Sequence, residues 1–430
     1  MNIFINKKIL IYGLGKSGKS TYNFLKNKSN IFLYDDNKLR KKSFKPKKKF
    51  IKYKDILRQK FDFIIISPGI DIDQCFLSKF LKKNREKIYS DLDVFYEFYK
   101  NDCITITGTN GKSTTCQILY EVLLDQDYDV RLVGNIGNPI LSVKKINSKT
   151  ILVVEASSYQ LEYSKIFKSK YAAILNLSPD HIERHKTFQK YVIAKFKLLK
   201  SQLKGHLAFV KKGDPIINKQ LKLNKFESEI IKVNTRKSNR FIKGIKNKYF
   251  LTETNKENLS FVLEILKRFN LRKNLLKKTI KNFSGLKYRQ QIVFKNRFLK
   301  IINDSKSTSF SSTTSILRAN RNIYWLLGGI PKKGDKLNLP KKYFKNIKAF
   351  VYGKNKNFFN KNLNGKIIYF NFNNLKEALK EILIMIKKEK YIDKTILFSP
   401  CAASFDNFQN FEDRGFYFNK LIKKNLNEFK

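Results

Sequence analysis

The segment Cys103–Thr115 has the residue types and the order of a phosphate-binding loop. A β-branched run predicts a buried strand, and the stretch Gly108–Gly111 and an apolar-periodic helix follow it. Glycines let backbone N–H groups turn toward an anion, and a helix N-terminus favours negative charge. Lys112 is suited to the outer phosphates of a nucleotide, and the hydroxyl of Ser113 to a Mg²⁺ ion. This segment therefore predicts an ATP site.

A second glycine segment, Gly13–Ser20, matches the written P-loop pattern G-x(4)-G-K-[ST] letter for letter, whereas the other loop has Ile106 in place of the first glycine. The same letters also fit a dinucleotide-type turn, and Asp35 ends the next strand about twenty residues later, where a ribose hydroxyl would bind. We interpret Gly13–Ser20 as a loop that binds a nucleotide diphosphate and does no chemistry. The alternative is a tight strand-to-helix turn without a ligand.

Length and composition limit the class of protein. A chain of 430 residues with a hydrophobic share of 42% predicts two or three domains with real cores. It has no run of 18 apolar residues and enters a strand near its first residue, so we expect neither a membrane span nor a signal peptide. The four cysteines are scattered without a C-x-x-C pair, which favours a reducing cytoplasm.

The formal net charge of +54 suggests nucleic acid as a partner. However, the lysines are spread along the whole chain, and Asn, Ile, Phe and Tyr are abundant as well. This bias is typical of an AT-rich genome. We therefore expect a solvated basic surface, with no specific nucleic-acid partner, that attracts polyanions at low salt.

Strand-like and helical runs alternate along nearly the whole chain, which predicts an α/β fold with mainly parallel sheets. The strand-like runs fall into three sets, and two interruptions of the pattern suggest boundaries. The first set is Lys8–Tyr12, Ile31–Asp35 and Phe61–Ser67. The second is Cys103–Thr107, Thr150–Glu155, Tyr171–Leu177 and His206–Val210, and the third is Phe298–Asn303, Asn322–Leu327, Ala349–Tyr352, Ile367–Phe370 and Thr395–Ser399. We predict a Rossmann-like domain over residues 1–89, a central P-loop ATPase domain over 90–285 and a Rossmann-like domain over 286–430. Ligands should bind beyond the C-terminal ends of the strands.

Four more residues have types suited to metal or phosphate chemistry. Glu155 ends a strand beside the glycine loop, where a Mg²⁺ ligand is expected. His181 and His185 have a spacing that also fits zinc, but no third ligand is evident, so we favour His181 as a metal contact and His185 as structural or exposed. Lys195, taken by itself, is one lysine among many.

Near the C-terminus, three segments with small, hydroxyl and lysine residues each follow a strand: Asn303–Thr308, Leu327–Asp335 and Ser399–Phe408. Asp304 and Lys306 on the first of them are suited to a ribose and a phosphate. Together the segments predict a rim that binds anions, such as the carboxylates of a substrate.

In this order, these segments resemble the Mur ligase family of peptidoglycan synthesis over nearly the whole chain. Within the family, the chain looks most like the branch that joins D-glutamate to UDP-N-acetylmuramoyl-L-alanine. The resemblance rests on these motifs: Gly108-Thr-Asn-Gly-Lys-Ser-Thr, Gly134-Asn-Ile-Gly, Glu155-Ala-Ser-Ser, Asp180-His181, Asn255-x-x-Asn258, Asn303-Asp-Ser-Lys306, Ser67-Pro-Gly-Ile, and the long Ser399-to-Gly415 signature.

The resemblance implies a monomer that forms an acyl phosphate with ATP, two Mg²⁺ ions and a CO₂-derived carbamate on Lys195. It implies Lys112, Glu155, His181 and Lys195 as catalytic residues, with Ser113, Glu155, His181 and the Lys195 carbamate at the metals. The implied ATP contacts are Gly108, Thr109, Asn110, Gly111, Lys112, Ser113, Thr114, Asn255, Asn258, Arg289, Asp304 and Lys306. The implied substrate contacts are Gly15, Lys16, Ser17, Asp35, Gly69, Asn135, Ser157, Thr308, Lys332, Ser404 and Phe411.

The chain departs from the family pattern at a few positions. Thr254 and Tyr288 stand where the family usually has His, and Lys16 and Lys19 stand where it has apolar or small residues. The alternatives are another Mur-type or folate-type amide ligase, or a basic nucleic-acid or interaction protein derived from a ligase. A folate-type enzyme would not need the first glycine loop. A derived binding protein would have lost Lys195, Glu155 or His181, and all three are present.

Overall fold

The computed structural model describes residues 2–37, 44–45, 47–235, 238–389 and 393–425. These residues contain three β-sheets with helices between the strands, so the α/β class is confirmed. The first two sheets belong to one compact unit, Met1–Lys246 with Lys256–Lys281, called unit 1 here. The third sheet belongs to unit 2, which is Asn247–Asn255 with Asn282–Lys430.

The first sheet has four parallel strands in the order β2-β1-β3-β4. Of its two inner strands, Lys8–Tyr12 is almost fully buried, because Ile and Leu side chains point to both faces. Its strands are β1 (Lys8–Tyr12), β2 (Asn30–Tyr34), β3 (Phe63–Ile66) and β4 (Ile88–Tyr89). Its helices are α1 (Lys16–Leu25), α2 (Tyr53–Arg58), α3 (Ser78–Lys83) and α4 (Asp91–Phe98).

The second sheet has six parallel strands in the order β10-β9-β8-β5-β7-β6. Its strands are β5 (Cys103–Thr107), β6 (Val130–Gly134), β7 (Ile151–Glu155), β8 (Tyr171–Ile174), β9 (Leu207–Lys211) and β10 (Glu229–Val233). Its helices are α5 (Lys112–Asp125), α6 (Ser158–Tyr163), α7 (Ile182–His185), α8 (Phe188–Lys200), α9 (Pro215–Leu223), α10 (Ser238–Ile245), α11 (Glu253–Leu266) and α12 (Lys273–Asn282). Since β5 lies between β8 and β7, the loop after it opens at the C-terminal edge of the sheet, flanked by two other strand ends.

The third sheet has six strands in the order β11-β12-β16-β13-β14-β15, and only β11 is antiparallel to its neighbour. The strands are β11 (Gln291–Lys295), β12 (Leu299–Asn303), β13 (Ile323–Gly328), β14 (Ile347–Tyr352), β15 (Ile368–Phe372) and β16 (Lys394–Phe398). The helices are α13 (Phe310–Arg318), α14 (Lys356–Leu363), α15 (Leu375–Lys388) and α16 (Phe411–Asn425). Each face of this sheet carries its own hydrophobic cluster, one of them around the buried Trp325.

Each of the three sheets lies within one of the three predicted domains. The boundaries themselves, at 89/90 and 285/286, stay a prediction. Among the helices of the described residues, none combines the length and the apolar character that crossing a lipid bilayer requires.

Candidate active site

The glycine loop after β5 has the backbone of a phosphate cradle. Gly108 has φ +149° and Gly111 has φ +85°, conformations that L side chains rarely adopt. A Cβ at Gly111 would lie 2.0 Å from the amide oxygen of Asn258, so no larger residue fits there. Helix α5 begins at the next residue, Lys112, and its first N–H groups therefore face the loop.

The side chain of Lys112 folds back over this loop, and its Nζ donates to the carbonyls of Gly108 and Thr109 at 2.9 and 2.8 Å. The loop is also fixed from the side. Asn176 accepts from the backbone N–H of Asn110 at 2.9 Å and donates to the carbonyl of the same residue at 3.2 Å. The lysine and the loop backbone are therefore positioned together, as binding a triphosphate requires.

Glu155 is buried beside the start of α5. Its carboxylate accepts hydrogen bonds from the hydroxyl of Ser113 at 2.5 Å and from the side-chain amide of Asn135 at 2.8 Å. The strand register explains this meeting, because Glu155 is paired with Ile106 at the end of β5 and with Gly134 at the end of β6. Glu155, which lies two strands later in the chain, is thus placed next to the glycine loop.

A hydroxyl and a carboxylate are oxygen ligands, the kind that Mg²⁺ prefers. The described residues contain no group of three or more His, Cys, Asp or Glu that could hold a metal ion by itself. That donor set fits Mg²⁺, which usually keeps several waters and binds through one or two carboxylates together with substrate phosphates. Ser113 and Glu155 are the residues that would hold it.

Lys195 lies on α8 and is 1% exposed. Its Nζ donates to the carbonyl of Gly108 at 2.8 Å and to the hydroxyl of Thr107 at 3.2 Å, and it lies 4.7 Å from the centre of the Tyr191 ring. Burial, and then the nearby ammonium of Lys112, hold the pKa of Lys195 well below its usual value. This lysine is therefore held at the glycine loop, and its burial shifts the protonation equilibrium toward the neutral amine.

His181 is the N-cap residue just before the short helix α7 and has φ +54°, a strained conformation for a residue other than glycine. Its Nε2 lies 3.4 Å from the carboxylate of Asp180, and its ring packs 5.0 Å from that of Tyr159. The side chain is about one-third exposed, so it is accessible to a ligand.

His185, one turn later, has a different role. It is 3% exposed, its Nε2 is hydrogen-bonded to the hydroxyl of Ser158 at 2.9 Å, and its ring stacks on Tyr159. Burial lowers the pKa of His185 to about 4, so the ring is neutral at physiological pH. The structure assigns it a packing role, one of the two that the sequence left open.

The first glycine loop is tighter than the second. Gly13 has φ +91°, and the hydroxyl of Ser67 donates to its carbonyl at 2.6 Å. A Cβ on Gly18 would lie 1.8 Å from the same carbonyl oxygen. Asp35 turns toward this loop, where it accepts from the backbone N–H of Leu14 at 2.5 Å.

Four other predicted substrate contacts of unit 1 lie in less constrained places. Lys16 is exposed at the first position of α1, and Gly15 has open space around it. Gly69 is exposed after β3, and Ser157 caps α6 by accepting from the backbone N–H of Gln160. Among these residues, the structure shows side-chain constraint only for the cap.

In unit 2, Asp304 is buried after β12. It accepts from the backbone N–H of Gln290 and from the hydroxyl of Ser399, both at 3.0 Å. Burial raises the pKa of Asp304 to about 7, although both hydrogen bonds and the charges of Arg289 and Arg414 oppose that shift.

Two predicted cations of unit 2 meet at one aromatic ring. The Nζ of Lys306 lies 4.1 Å from the centre of the Phe411 ring, and the guanidinium of Arg289 lies 5.8 Å from it. The backbone carbonyl of Phe411 accepts from the hydroxyl of Ser305 at 2.9 Å. The structure thus brings Arg289, Lys306 and Phe411 together.

The remaining rim residues lie on two loops that contact each other. Ile330 and Ala403 form an antiparallel bridge with N···O distances of 2.9 and 2.8 Å, which places the loop of Lys332 beside the loop of Ser404. Thr308 lies just before α13, half-buried. No hydrogen bond in the described structure ties Thr308 to these two loops.

Sequence reasoning missed several residues that shape the site. Asn176 fixes the glycine loop, Tyr191 is hydrogen-bonded to the hydroxyl of Thr109 at 3.0 Å, and Arg414 donates to the carbonyls of Ser305 and Ala402. Each of these contacts joins residues that are far apart in sequence or that lie on different elements. Only Asn176, a polar residue just after the apolar run of β8, gave a local signal that could have been followed.

The fold and the site define a P-loop nucleotide-binding enzyme with a carboxylate and a buried lysine at its phosphate cradle. A family profile described as "Mur ligase middle domain" matches residues 106–277. Two solved structures show the same fold: MurF ligase from Thermotoga maritima in complex with ADP (TM-score 0.58, 14% identity, 87% of this chain and 91% of that chain) and MurC from the same organism (TM-score 0.57, 15% identity, 99% and 100%).

Curated relatives match over the full length. A UDP-N-acetylmuramoylalanine–D-glutamate ligase from Rickettsia bellii is 33% identical over 98% of this chain and 98% of its own. A protein of the same name from Francisella tularensis is 33% identical over 96% of this chain and 95% of its own. The chain therefore belongs to the Mur ligase family, and it is an ATP-dependent, amide-forming ligase of peptidoglycan precursor synthesis.

Proposed function

We propose that this enzyme joins D-glutamate to UDP-N-acetylmuramoyl-L-alanine in the cytoplasm, and that it converts ATP to ADP and phosphate. The observation that carries this proposal is the full-length similarity to relatives named for that substrate pair. The geometry supports it through the glycine loop, Glu155 and Lys195, which gather at one edge of the second sheet.

In the first step, an oxygen of the L-alanyl carboxylate attacks the γ-phosphorus of ATP. A new O–P bond forms while the bond between the γ-phosphorus and the β,γ-bridging oxygen breaks, so ADP leaves and an acyl phosphate remains. The backbone of Gly108–Gly111 and the ammonium of Lys112 neutralise the charge that spreads over the transferred group. Thr109, Asn110 and Thr114 complete this part of the ATP site. Support comes from the start of α5 at Lys112, which aims backbone N–H groups at the loop.

Bound Mg²⁺, two ions in this proposal, would supply Lewis-acid stabilisation of the phosphate oxygens. Ser113, Glu155 and His181 are the residues that we propose to hold it. Asn135 orients the carboxylate of Glu155 through its 2.8 Å hydrogen bond, in addition to any contact with the UDP-sugar. Fixed orientation of a ligating carboxylate is the usual task of such a neighbour.

Lys195 is proposed to carry a carbamate. A neutral amine attacks CO₂, a C–N bond forms, and one proton leaves to solvent, so that an anionic oxygen ligand replaces an amine that offers donors only. Burial favours the neutral form that this reaction needs. Both hydrogen bonds of Nζ go to uncharged oxygens, the hydroxyl of Thr107 and the carbonyl of Gly108. Neither bond therefore pairs an ammonium with a carboxylate.

We propose that Gly15, Lys16, Ser17, Asp35, Gly69 and Ser157 contact the UDP-sugar. In unit 2, we propose that Asn255, Arg289, Asp304 and Lys306 contact the nucleotide, and that Thr308, Lys332, Ser404 and the backbone of Phe411 bind D-glutamate. Asn258 of unit 1 is proposed as a further nucleotide contact, because both polar atoms of its buried amide lack a partner in the described structure.

In the second step, the amine of D-glutamate attacks the acyl carbon. The C–N bond forms, phosphate leaves with the C–O electron pair, and the amine loses a proton. Exclusion of water from the site favours this step, because water would otherwise hydrolyse the acyl phosphate and ATP would be consumed without an amide bond being formed.

The test is phosphate release from ATP with UDP-N-acetylmuramoyl-L-alanine and a panel of D-glutamate, L-glutamate and meso-diaminopimelate. We expect turnover with D-glutamate only. Lys195→Ala should lose it, and an added short carboxylate should restore part of it. A folded, ATP-binding protein that turns over with another amino acid, or with none, would contradict the proposal.

A further inference from the structure

Arg184 is a buried cation that the proposed chemistry does not use. Its side chain is 10% exposed, and it lies three residues after His181 in the short helix α7. Its Nη1 lies 3.5 Å from the carboxylate of Asp71, and its Nη2 lies 3.2 Å from that of Glu162. The same Nη2 donates to the hydroxyl oxygen of Tyr163 and to the carbonyl of Ile70, the latter at 3.2 Å.

These partners belong to two separate parts of unit 1. Glu162 and Tyr163 lie on α6, next to the second sheet, whereas Ile70 and Asp71 lie in the loop after β3 of the first sheet. The hydroxyl of Tyr163 also donates to the carbonyl of Ile70, at 3.2 Å. Arg184 is therefore the centre of a polar contact, here called the Arg184 bridge, that joins the two sheets.

On one side, the bridge continues to the first glycine loop. The backbone N–H of Ile70 donates to the carbonyl of Ser67 at 3.0 Å, and the hydroxyl of Ser67 donates to the carbonyl of Gly13 at 2.6 Å. This path passes Gly69, a proposed UDP-sugar contact. The whole loop after β3 is thus tied to the turn that precedes α1.

On the other side, the bridge fixes the strained turn of His181. The backbone N–H groups of Arg184 and His185 donate to the carbonyl of His181 at 3.1 and 2.9 Å. The guanidinium lies 5.6 Å from the centre of the Tyr159 ring, on which His181 also packs. A side chain anchored at Asp71 thus holds the backbone that carries a proposed metal contact.

We propose that Arg184 is a positioning residue, which sets the distance between the UDP-sugar loop and the His181 turn so that the substrate carboxylate lies in line with the γ-phosphate. This inference rests on the proposed function. A long substrate bound at one end by the first sheet must present its carboxylate to phosphates bound by the second. A displacement of about 1 Å in such an arrangement costs about 100-fold in rate.

Arginine is suited to this task and lysine is not. The planar guanidinium reaches four partners on two segments at once, and its direction is fixed by two aromatic rings. An ammonium in its place would satisfy at most three acceptors and would have no plane to stack. Arg184→Lys should therefore lose most of the effect although it keeps the charge.

The experiment compares Arg184→Gln, Arg184→Lys and Tyr163→Phe with wild type in the full chain. Lys186→Gln is the matched control, because it removes an equal charge 4.0 Å from the same Asp71 but lies on the exposed rim of the bridge. Three quantities are measured: kcat, the KM values for ATP and the UDP-sugar, and the single-turnover rate of ADP formation without D-glutamate.

We expect kcat and the rate of ADP formation to fall together by about 30- to 100-fold in Arg184→Gln, with both KM values within about threefold and an unchanged melting temperature. Arg184→Lys should recover less than about a tenth of the loss, and Lys186→Gln should stay within about twofold of wild type. Tyr163→Phe, which removes one hydroxyl, should lower kcat by about three- to tenfold.

An unchanged kcat in Arg184→Gln would overturn the inference, and so would a loss that appears in both KM values and in the melting temperature. If Arg184→Gln does not fold, Tyr163→Phe decides: a lower kcat at constant KM supports the bridge, and wild-type kinetics overturn it. Failure of the proposed function is distinguishable, because wild type would then show no turnover with D-glutamate.

Discussion

The two glycine loops of unit 1 differ in where the following helix begins. After the first loop, α1 begins at Lys16, so Lys19 and Ser20 lie within the helix. The ammonium of Lys19 lies 5.7 Å from the centre of the Phe44 ring, on the outside of the fold. After the second loop, α5 begins at Lys112, and the lysine side chain returns over the loop.

A phosphate cradle thus depends on helix register rather than on the letters of a motif. The lysine must be the first helical residue, since only there does its side chain reach back to the ligand that the N–H groups face. The first loop matches every position of the P-loop pattern, but its Lys19 lies about one helical turn after the start of α1. The second loop lacks the first glycine of the pattern, and its Lys112 is nevertheless the first residue of α5.

The largest expected effect separates the two lysines. Lys112→Ala should lower kcat by about 1,000-fold, because it removes a cation aimed at the transferred phosphate. Lys19→Ala should stay within about twofold of wild type, as expected for a surface residue. Phosphate-release kinetics at saturating substrate measure both. Comparable losses in the two variants would show that helix register does not distinguish the loops.

The second comparison is between the two buried carboxylates beside the loops. Glu155→Gln should keep the fold but lower kcat by about 100-fold and raise the Mg²⁺ concentration needed for half activity. Asp35→Ala should instead lower the free energy of unfolding by about 1–3 kcal/mol, because the buried N–H of Leu14 loses its acceptor. Magnesium titrations and urea unfolding distinguish these outcomes. A stable Asp35→Ala variant would argue against a structural role for that carboxylate.

Two glycines of the first loop sharpen the comparison further. Gly18→Ala should lower the free energy of unfolding by about 2–3 kcal/mol, since its Cβ would meet the Gly13 carbonyl at 1.8 Å. Gly15→Ala should cost less than about 1 kcal/mol, because nothing lies within 4 Å of its Cβ. Urea unfolding of both variants is the measurement, and equal costs would mean that the turn relaxes freely.

The smallest effect is a difference in pH dependence. Burial lowers the pKa of Lys195, so the folded state binds fewer protons than the unfolded state between that lowered value and the ordinary value near 10.5. The contribution of Lys195 to the free energy of unfolding therefore rises with pH between these two pKa values. Lys195→Met should flatten the rise, and exposed Lys19→Met should not. The measurement is urea unfolding at pH 7 and 9 in CO₂-depleted buffer, and parallel slopes in wild type and Lys195→Met would contradict the burial argument.

Much of the fold could be predicted from the sequence. Predicted strands such as Cys103–Thr107 and Lys8–Tyr12 match β5 and β1 residue for residue, because buried parallel strands are continuous apolar runs. Among the strands of the described residues, sequence reasoning missed β4, β6, β10 and β11. All four are edge strands of their sheets, where one side meets solvent and the apolar run is broken or short.

The site was predictable only where a motif is local. The loop at Gly108 and the strand-end carboxylate Glu155 carry their signal within a few residues. The partners of Arg184 are 21 to 114 positions away, and nothing in the spacing of such residues indicates that they meet. The inward turn of Asp35 onto Leu14 also depends on the tertiary turn, so the sequence suggested only a ribose contact.

The close contact between Gly18 and the Gly13 carbonyl has a consequence for motif searches. Packing alone demands glycine at both positions, so two of the four defining letters are explained without any phosphate. In a chain in which 89 of 430 residues are Lys or Arg, a lysine next to a glycine is a frequent coincidence. The information content of a P-loop pattern therefore falls in lysine-rich proteomes, and a search there gains specificity when it is weighted by composition.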